Sequence, residues 1–89
     1  MFKHQEIADW ITAFIVERTG VPEYEVEPDE NLGSYGLGSM QAVDLVGSLE
    51  DRFGVALAPT LVFQFPTVRE LAAVVLQRVG QALPVGGEA

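Results

Sequence analysis

A glycine-rich stretch at residues 33–39 ends in the side chain with the clearest potential for chemistry, the hydroxyl of Ser39. A phosphate-binding P-loop needs a lysine directly before its serine or threonine, and Gly38 occupies that place. A hydrolase nucleophile elbow needs glycines on both sides of the serine, at positions that hold Leu37 and Gln41. The stretch therefore matches neither the nucleotide-binding motif nor the hydrolase motif.

The sequence also lacks the motifs for metal binding and for acid–base catalysis. An EF-hand loop beginning at Asp29 would need glycine at its sixth position and glutamate at its twelfth, where Ser34 and Met40 stand. The chain has no cysteine, and its single histidine, His4, lies near the N-terminus, where we expect a surface position without a role. Since a catalytic triad and a thiolate metal site both lack their parts, we expect no catalytic residue and no metal ligand.

What remains for Ser39 is its own modification. The pattern predicts that a helix begins at Ser39, with its hydroxyl as the N-cap and a flexible glycine before it. A phosphate ester placed there would lie near free backbone N–H groups and the positive end of the helix dipole. The residues alone thus leave two interpretations open: a modified serine, or a plain loop that leads into a helix.

The spacing of apolar residues predicts the helices that position this serine. Positions 7, 10, 11, 14 and 15 predict a first helix over residues 4–19, ended by Gly20. An acidic loop is expected over residues 20–38. Its expected apolar anchors are Val21, Tyr24, Val26, Leu32, Tyr35 and Leu37. A second helix is predicted from Ser39 to Gly54, with an apolar face formed by Met40, Val43, Leu45, Val46, Leu49 and Phe53.

The rest of the chain predicts one short and one long helix. Residues 60–65 suit a single helical turn, and Thr67 and Glu70 have capping-box spacing at the start of a last helix. No alternating strand pattern and no internal repeat is visible. The expected fold class is all-α, a four-helix bundle with a short third helix over residues 1–80, followed by a flexible tail at residues 81–89.

The composition excludes several classes of function. With 13 acidic and 5 basic residues, the chain has a formal net charge of −8 at pH 7, which repels phosphate backbones, so we expect no nucleic-acid partner. At 89 residues and 48% hydrophobic content, it is expected to form one small folded domain. Since no targeting signal and no membrane-length apolar run is visible, we expect a cytoplasmic protein without membrane contact. We also expect a monomer.

Three blocks of the sequence resemble the acyl carrier protein family. Residues 36–45 read GLGSMQAVDL and are similar to the signature L-G-x-D-S-L-x-A-V-E-L. Residues 49–54, LEDRFG, resemble the family's L-E-x-x-F-G, and residues 59–72, PTLVFQFPTVRELA, resemble its polyketide-type F-x-x-P-T-x-x-x-L-A block. The blocks stand in the family's order on the helices already predicted, and the likeness covers residues 5–80.

The resemblance implies that Ser39 carries a covalent 4′-phosphopantetheine, moved from coenzyme A by a phosphopantetheinyl transferase. The thiol of this group would hold acyl chains as thioesters for polyketide or fatty-acid biosynthesis, and the protein itself would not be an enzyme. Its partners would be an acyl-loading enzyme, either an acyl-AMP ligase or an acyltransferase, and a ketosynthase or other acyl-processing enzymes. Gly38 stands where most members have aspartate, a departure shared with carriers associated with fatty acyl-AMP ligases, the subgroup that residues 59–67 resemble.

The second helix is expected to divide its residues between partner contacts and the core. The candidates for partner binding are Met40, Asp44, Gly47, Glu50 and Asp51. The residues expected in the core are Val43, Leu45, Leu49 and Phe53. The candidates to line an opening for the acyl chain are Val43, Leu61, Phe63 and Val68. Two other functions stay open: a peptidyl carrier protein of nonribosomal peptide synthesis, and an unmodified acidic helical adaptor.

Overall fold

The computed structural model describes the backbone of residues 2–88 and the side chains of residues 2–80. Its helices are α1 (His4–Thr19), α2 (Ser39–Phe53), α3 (Leu61–Gln64) and α4 (Val68–Glu88). Two short 3₁₀ helices, Glu23–Glu25 and Leu32–Tyr35, lie between α1 and α2. The predicted all-α fold with a short third helix is confirmed. The flexible tail predicted at residues 81–89 lies outside the described side chains and stays a prediction.

Helices α1 and α2 end at the glycines that the sequence predicts. Gly20 and Gly54 follow their last residues in the left-handed conformation, with φ of 79° and 64°. Each glycine donates its N–H to a carbonyl of the last turn, Val16 O at 3.0 Å and Glu50 O at 2.8 Å. Because glycine lacks a Cβ, it adopts this conformation at little steric cost, and both helices stop there.

A continuous apolar core joins the helices. Helix α1 packs mainly against α4, while α2 packs against α1 and α3. The largest fully buried side chains come from all four helices and the loop: Ile7, Ile11, Ile15, Leu32, Leu45, Val46, Leu49, Leu61, Leu71 and Val75. Burial of each such side chain contributes about 1.5–3 kcal/mol relative to exposure, so this core is the main source of stability.

An aromatic cluster closes one edge of the core. The rings of Trp10 and Phe53 meet edge to face with centroids 5.9 Å apart, and Phe2 meets Phe53 in the same way at 4.8 Å. Such pairs contribute about 0.5–1.5 kcal/mol beyond their buried area. The cluster therefore connects α1, and Phe2 just before it, to Phe53 in the last turn of α2.

The segment between α1 and α2 is more regular than the sequence predicts. Leu32 donates its N–H to Pro66 O at 2.8 Å, and Arg69 donates its N–H to Pro28 O at 3.0 Å, so the segment is bonded to the start of α4. Leu32 is buried as expected, whereas Tyr24 is 84% exposed. The prediction that Tyr24 anchors the segment is wrong, because the single turn Glu23–Glu25 buries none of its residues.

An ion pair also ties this segment to α4. Arg69 Nε donates to Asp29 Oδ1 at 2.6 Å, and this hydrogen bond holds the pKa of the Asp29 carboxyl below its ordinary value of 3.8. A carboxyl with a lowered pKa stabilises the fold above its unfolded pKa and loses that contribution as the pH falls through the folded value. Arg69→Met should therefore lower the urea midpoint at neutral pH, and its difference from the unaltered chain should shrink below about pH 3.8. A difference that stays constant from neutral to strongly acidic pH would contradict this role.

Candidate functional site

Ser39 is the first residue of α2 rather than its N-cap. Gly38 takes the N-cap position in an extended conformation, and its carbonyl accepts the N–H of Ala42 at 2.9 Å. The Gln41 side chain accepts the N–H of Gly38 at 3.2 Å, which is the side-chain half of a capping box. The prediction that the Ser39 hydroxyl caps the helix is therefore wrong, since backbone and glutamine begin the helix without it.

The surroundings of Ser39 leave its hydroxyl accessible. Gly38, Ser39 and Met40 are all exposed, and the position where a Cβ would stand on Gly38 has no neighbouring atom within 4 Å. Gly36 has a φ of 88°, a left-handed conformation that ends the 3₁₀ helix Leu32–Tyr35 and turns the chain toward α2. A macromolecule can therefore approach the hydroxyl from solvent at the start of the helix.

An apolar groove of about 370 Å³ borders Ser39. Its apolar lining consists of Leu32, Leu37, Ala42, Val62, Phe63 and Pro66. Of the residues predicted to line an opening, Phe63 does so and is 58% exposed. Leu61 and Val68 are buried in the core, and Val43 lies outside the groove. The loop before α2 and one side of α3 form this groove, and a role of these three residues at an opening for the acyl chain stays a prediction.

The face of α2 that begins at Ser39 exposes two large apolar side chains. Met40 is 87% exposed and Val43 is 48% exposed. The buried residues of α2 are Ala42, Leu45, Val46, Leu49 and Phe53. The expected core positions of Leu45, Leu49 and Phe53 are confirmed. The expected core position of Val43 is wrong. Val43 follows the buried Ala42 directly, and the rotation of about 100° per residue carries its side chain out of the buried face.

Most candidate partner-binding residues share one face of α2. Met40, Asp44, Gly47 and Asp51 are separated by four, three and four residues, which is the spacing of one helical face. Met40, Asp44 and Asp51 are exposed, while Gly47 is half-buried with open space where a Cβ would stand. The Asp44 carboxylate pairs with Arg18 of α1. The residues form a continuous surface next to Ser39, and their role in partner binding stays a prediction.

Glu50 differs from these residues because its carboxylate is bonded within the fold. Its Oε2 accepts the N–H of Leu57 at 2.7 Å, which ties the connector after α2 to the helix. Since Leu57 is only 7% exposed, its N–H would be left without an acceptor and poorly hydrated if the carboxylate were removed. Glu50→Ala should cost about 1–3 kcal/mol of unfolding free energy, measured by urea denaturation.

Asp51→Ala is the matched control for Glu50, because it removes an exposed carboxylate from the next residue of the same helix. It should change the unfolding free energy by less than about 0.5 kcal/mol. Equal losses in the two variants would contradict the role assigned to the Glu50–Leu57 bond. Glu50 therefore holds the connector after α2 against the helix, and its role in partner binding stays a prediction.

The described residues fit a covalent group on Ser39 better than a bound ion. Within this part of the chain, no cluster of three or more His, Asp or Glu side chains could hold a metal. None of the described helices is both long and apolar enough to cross a bilayer. An exposed hydroxyl, an open flank at Gly38 and an adjoining apolar groove suit a long flexible substituent with a phosphate at its attached end.

Comparison with known proteins agrees with this fit. Residues 9–75 match the phosphopantetheine attachment site family. The polyketide synthase PksL of Bacillus subtilis (strain 168) is 26% identical over 84 residues, covering 94% of this chain and 2% of that protein. The phenolphthiocerol synthesis polyketide synthase type I Pks15/1 of Mycobacterium bovis (strain ATCC BAA-935 / AF2122/97) is 35% identical over 60 residues, covering 67% of this chain and 3% of that protein. The chain thus spans only a small fraction of the length of these curated relatives.

Two solved carrier structures share the fold. The free-standing peptidyl carrier protein from a secondary metabolic pathway of Acinetobacter baumannii superposes with a TM-score of 0.78 at 29% identity, covering 84% of this chain and 94% of that chain. The HMG-ACPI domain of the CurA module from Lyngbya majuscula superposes with a TM-score of 0.77 at 21% identity, covering 90% and 82%, a likeness of fold alone. Since the family match extends over most of the chain, this protein belongs to the phosphopantetheine attachment site family, whose members are carriers with a covalent 4′-phosphopantetheine.

Proposed function

We propose that this chain is an acyl carrier protein that holds acyl intermediates on a 4′-phosphopantetheine arm attached to Ser39. The observation that carries the proposal is the exposed Ser39 hydroxyl at the start of α2, inside the segment that matches the family. The other two serines of the chain, Ser34 and Ser48, lie in a 3₁₀ turn and in the middle of α2. Neither begins a helix of eight or more residues, so neither offers the same environment for a phosphate.

The start of α2 stabilises a phosphodiester on Ser39 Oγ. The first backbone N–H groups of a helix have no intrahelical acceptor, and together with the helix dipole they favour a negative charge. Gly38 adds no side chain that would compete for this space. When attached, the arm supplies a terminal thiol that bonds acyl groups as thioesters. The serine, the glycine and the helix end thus anchor and orient the arm without taking part in acyl chemistry.

The groove beside Ser39 gives the tethered group an apolar surface. Leu37, Val62 and Phe63 present carbon atoms to a space of about 370 Å³, next to the point of attachment. Because the group is tethered, its local concentration at this surface is high even when each contact is weak. A tethered chain that visits the groove would be partly shielded from water. If the NMR chemical shifts of these three residues were the same in the apo and the acyl-loaded protein, this role would be contradicted.

Acyl transfer in polyketide or fatty-acid biosynthesis is the proposed setting. The relatives described above are polyketide synthases, but this chain corresponds to only 2–3% of their length, so their whole activities do not transfer to it. The proposed partners are a phosphopantetheinyl transferase, an acyl-AMP ligase or acyltransferase, and a ketosynthase. We propose that the chain performs no catalysis of its own and works as a monomer in the cytoplasm.

A peptidyl carrier is the second candidate, favoured by the superposition with a free-standing peptidyl carrier at 29% identity. The two functions use the same attachment chemistry and differ in the loaded group. The acidic balance of the chain and the AVDL run at residues 42–45 favour the acyl interpretation. The mass of the group released from the isolated, loaded protein distinguishes them.

Incubation of the apo-protein with coenzyme A and a broad-specificity phosphopantetheinyl transferase tests the proposal. Intact-mass spectrometry should show one added phosphopantetheinyl group per chain, with none when the transferase is left out. A thiol-reactive probe should then label the modified chain and not the apo-protein, because the chain has no cysteine of its own. A chain that stays unmodified would instead support the acidic adaptor.

A further inference from the structure

Arg18 of α1 reaches the exposed face of α2 that begins at Ser39. Its guanidinium pairs with the Asp44 carboxylate and lies over the Phe14 ring, 4.4 Å from the ring centroid. Phe14 is buried, so it offers the guanidinium a fixed platform. The side chain is therefore held between a ring on its own helix and a carboxylate on the next, a geometry that combines charge pairing with a cation–π contact.

This ion pair changes the character of the surface around it. Met40, Gln41, Val43 and Asp44 line a shallow depression on α2, and Asp44 is the one charged residue among them. Met40 and Val43 contribute exposed carbon. With the Asp44 charge compensated by Arg18, the depression as a whole is apolar and close to neutral. An unpaired Asp44 would make the same depression negative.

We propose that Arg18 is a specificity-determining residue: it masks the Asp44 carboxylate, so that partners are selected at this surface by apolar contact with Met40 and Val43. A partner with a basic docking surface gains little from Asp44 while Arg18 occupies it. The inference rests on the proposed function, since it assumes that this face of α2 meets the enzymes that act at Ser39.

The chain offers a matched control for the removal of Arg18. The pair of Arg69 and Asp29 is also an exposed arginine–aspartate pair, but it joins the loop to α4 and has no residue in common with the α2 depression. Arg18→Met and Arg69→Met each remove one positive charge and free one carboxylate. Only the first changes the charge next to Met40, so a difference between the two variants reports position rather than net charge.

The test is the dissociation constant between the unmodified chain and a broad-specificity phosphopantetheinyl transferase chosen for its basic docking surface. Calorimetry at low ionic strength would compare Arg18→Met, Asp44→Asn, the double variant and Arg69→Met. Arg18→Met should tighten binding about three- to fivefold, as expected for one exposed charge contact. Asp44→Asn should weaken it because it leaves Arg18 facing the partner. The dissociation constant of the double variant should be close to that of the unaltered chain. The dissociation constant of Arg69→Met should also equal that of the unaltered chain.

The salt dependence of binding and the kinetics of modification are two further measurements. Neither would change if Arg18 served only to stabilise the fold. The tightening by Arg18→Met should vanish near about 1 M salt, where the screening length falls to roughly 3 Å. In the modification reaction, the variants should change KM in the same order and leave kcat unchanged. Unchanged or weaker binding of Arg18→Met, or an equal gain in Arg69→Met, would overturn the inference. Because Ser39 would still be modified in either case, such a result would leave the proposed function standing, whereas an unmodified chain would remove the proposed function itself.

Discussion

Ser39→Ala is expected to abolish attachment of the phosphopantetheinyl group completely. The methyl group of alanine has no oxygen to form the phosphodiester, and no other residue replaces it at the start of α2. Since Ser39 is exposed and its hydroxyl does not cap the helix, the variant should keep its unfolding free energy to within about 0.5 kcal/mol. Intact mass after incubation with coenzyme A and transferase measures the first effect, and urea denaturation measures the second.

Ser34→Ala and Ser48→Ala are the matched controls, because they remove the other two serine hydroxyls of the chain. Both variants should be modified to the same extent as the unaltered chain. Full modification of Ser39→Ala would show that another residue holds the arm. This comparison requires that Ser39→Ala folds, and the small expected change in its unfolding free energy predicts that it does.

Leu49→Ala should cause a large loss of stability, about 2–5 kcal/mol, because it removes a fully buried side chain and leaves a cavity. For a domain whose total unfolding free energy is about 5–15 kcal/mol, this is a large share. Urea denaturation followed by far-ultraviolet circular dichroism gives the value. Should the alanine variant fail to fold, Leu49→Val deletes less carbon and is expected to cost about 0.5–1.5 kcal/mol, the range of a single buried methylene.

Met40→Ala provides the comparison on the same helix. Its side chain is similar in size to that of leucine but is 87% exposed, so the variant should change stability by less than about 0.5 kcal/mol. If Met40→Ala were as destabilising as Leu49→Ala, the assignment of inner and outer faces of α2 would be wrong. The same variant should weaken transferase binding, which separates the use of Met40 in docking from a role in folding.

The helices could be predicted because their determinants are local. Glycine after the last turn of α1 and α2 and the capping pair of Thr67 and Glu70 act within one turn of chain. Glu70 N–H indeed bonds Thr67 Oγ1 at 3.1 Å in the structure. Apolar spacing then indicates which face is buried, and only its margins are uncertain. Val43 lies at such a margin, which explains why periodicity assigned it to the core.

The contacts that shape the candidate surface could not be predicted, since they join residues far apart in sequence. Arg18 and Asp44 are 26 residues apart, and nothing in the local pattern of either helix indicates their pairing. Glu50 meets Leu57 only because the connector after α2 folds back on the helix. The sequence pattern therefore gives Asp44 and Glu50 only as candidates for partner binding, whereas packing brings a cation to one and a backbone N–H to the other.

The long loop shows the same limit. Glycine and proline spacing predicts that residues 20–38 leave the helical pattern, but not that Leu32 and Pro28 bond to the start of α4. Those bonds depend on where α4 packs against α1. The groove beside Ser39 depends in turn on the loop, which is why most of its lining escaped prediction.

The most direct measurement is the position of the modified residue in the unaltered chain. The protein would be modified with coenzyme A and a broad-specificity transferase, digested, and its peptides fragmented in a mass spectrometer. We expect the phosphopantetheinyl group on Ser39 alone, at the first residue of α2. A group on Ser34 or Ser48, or no group on any peptide, would contradict the central claim that this chain carries its arm at Ser39.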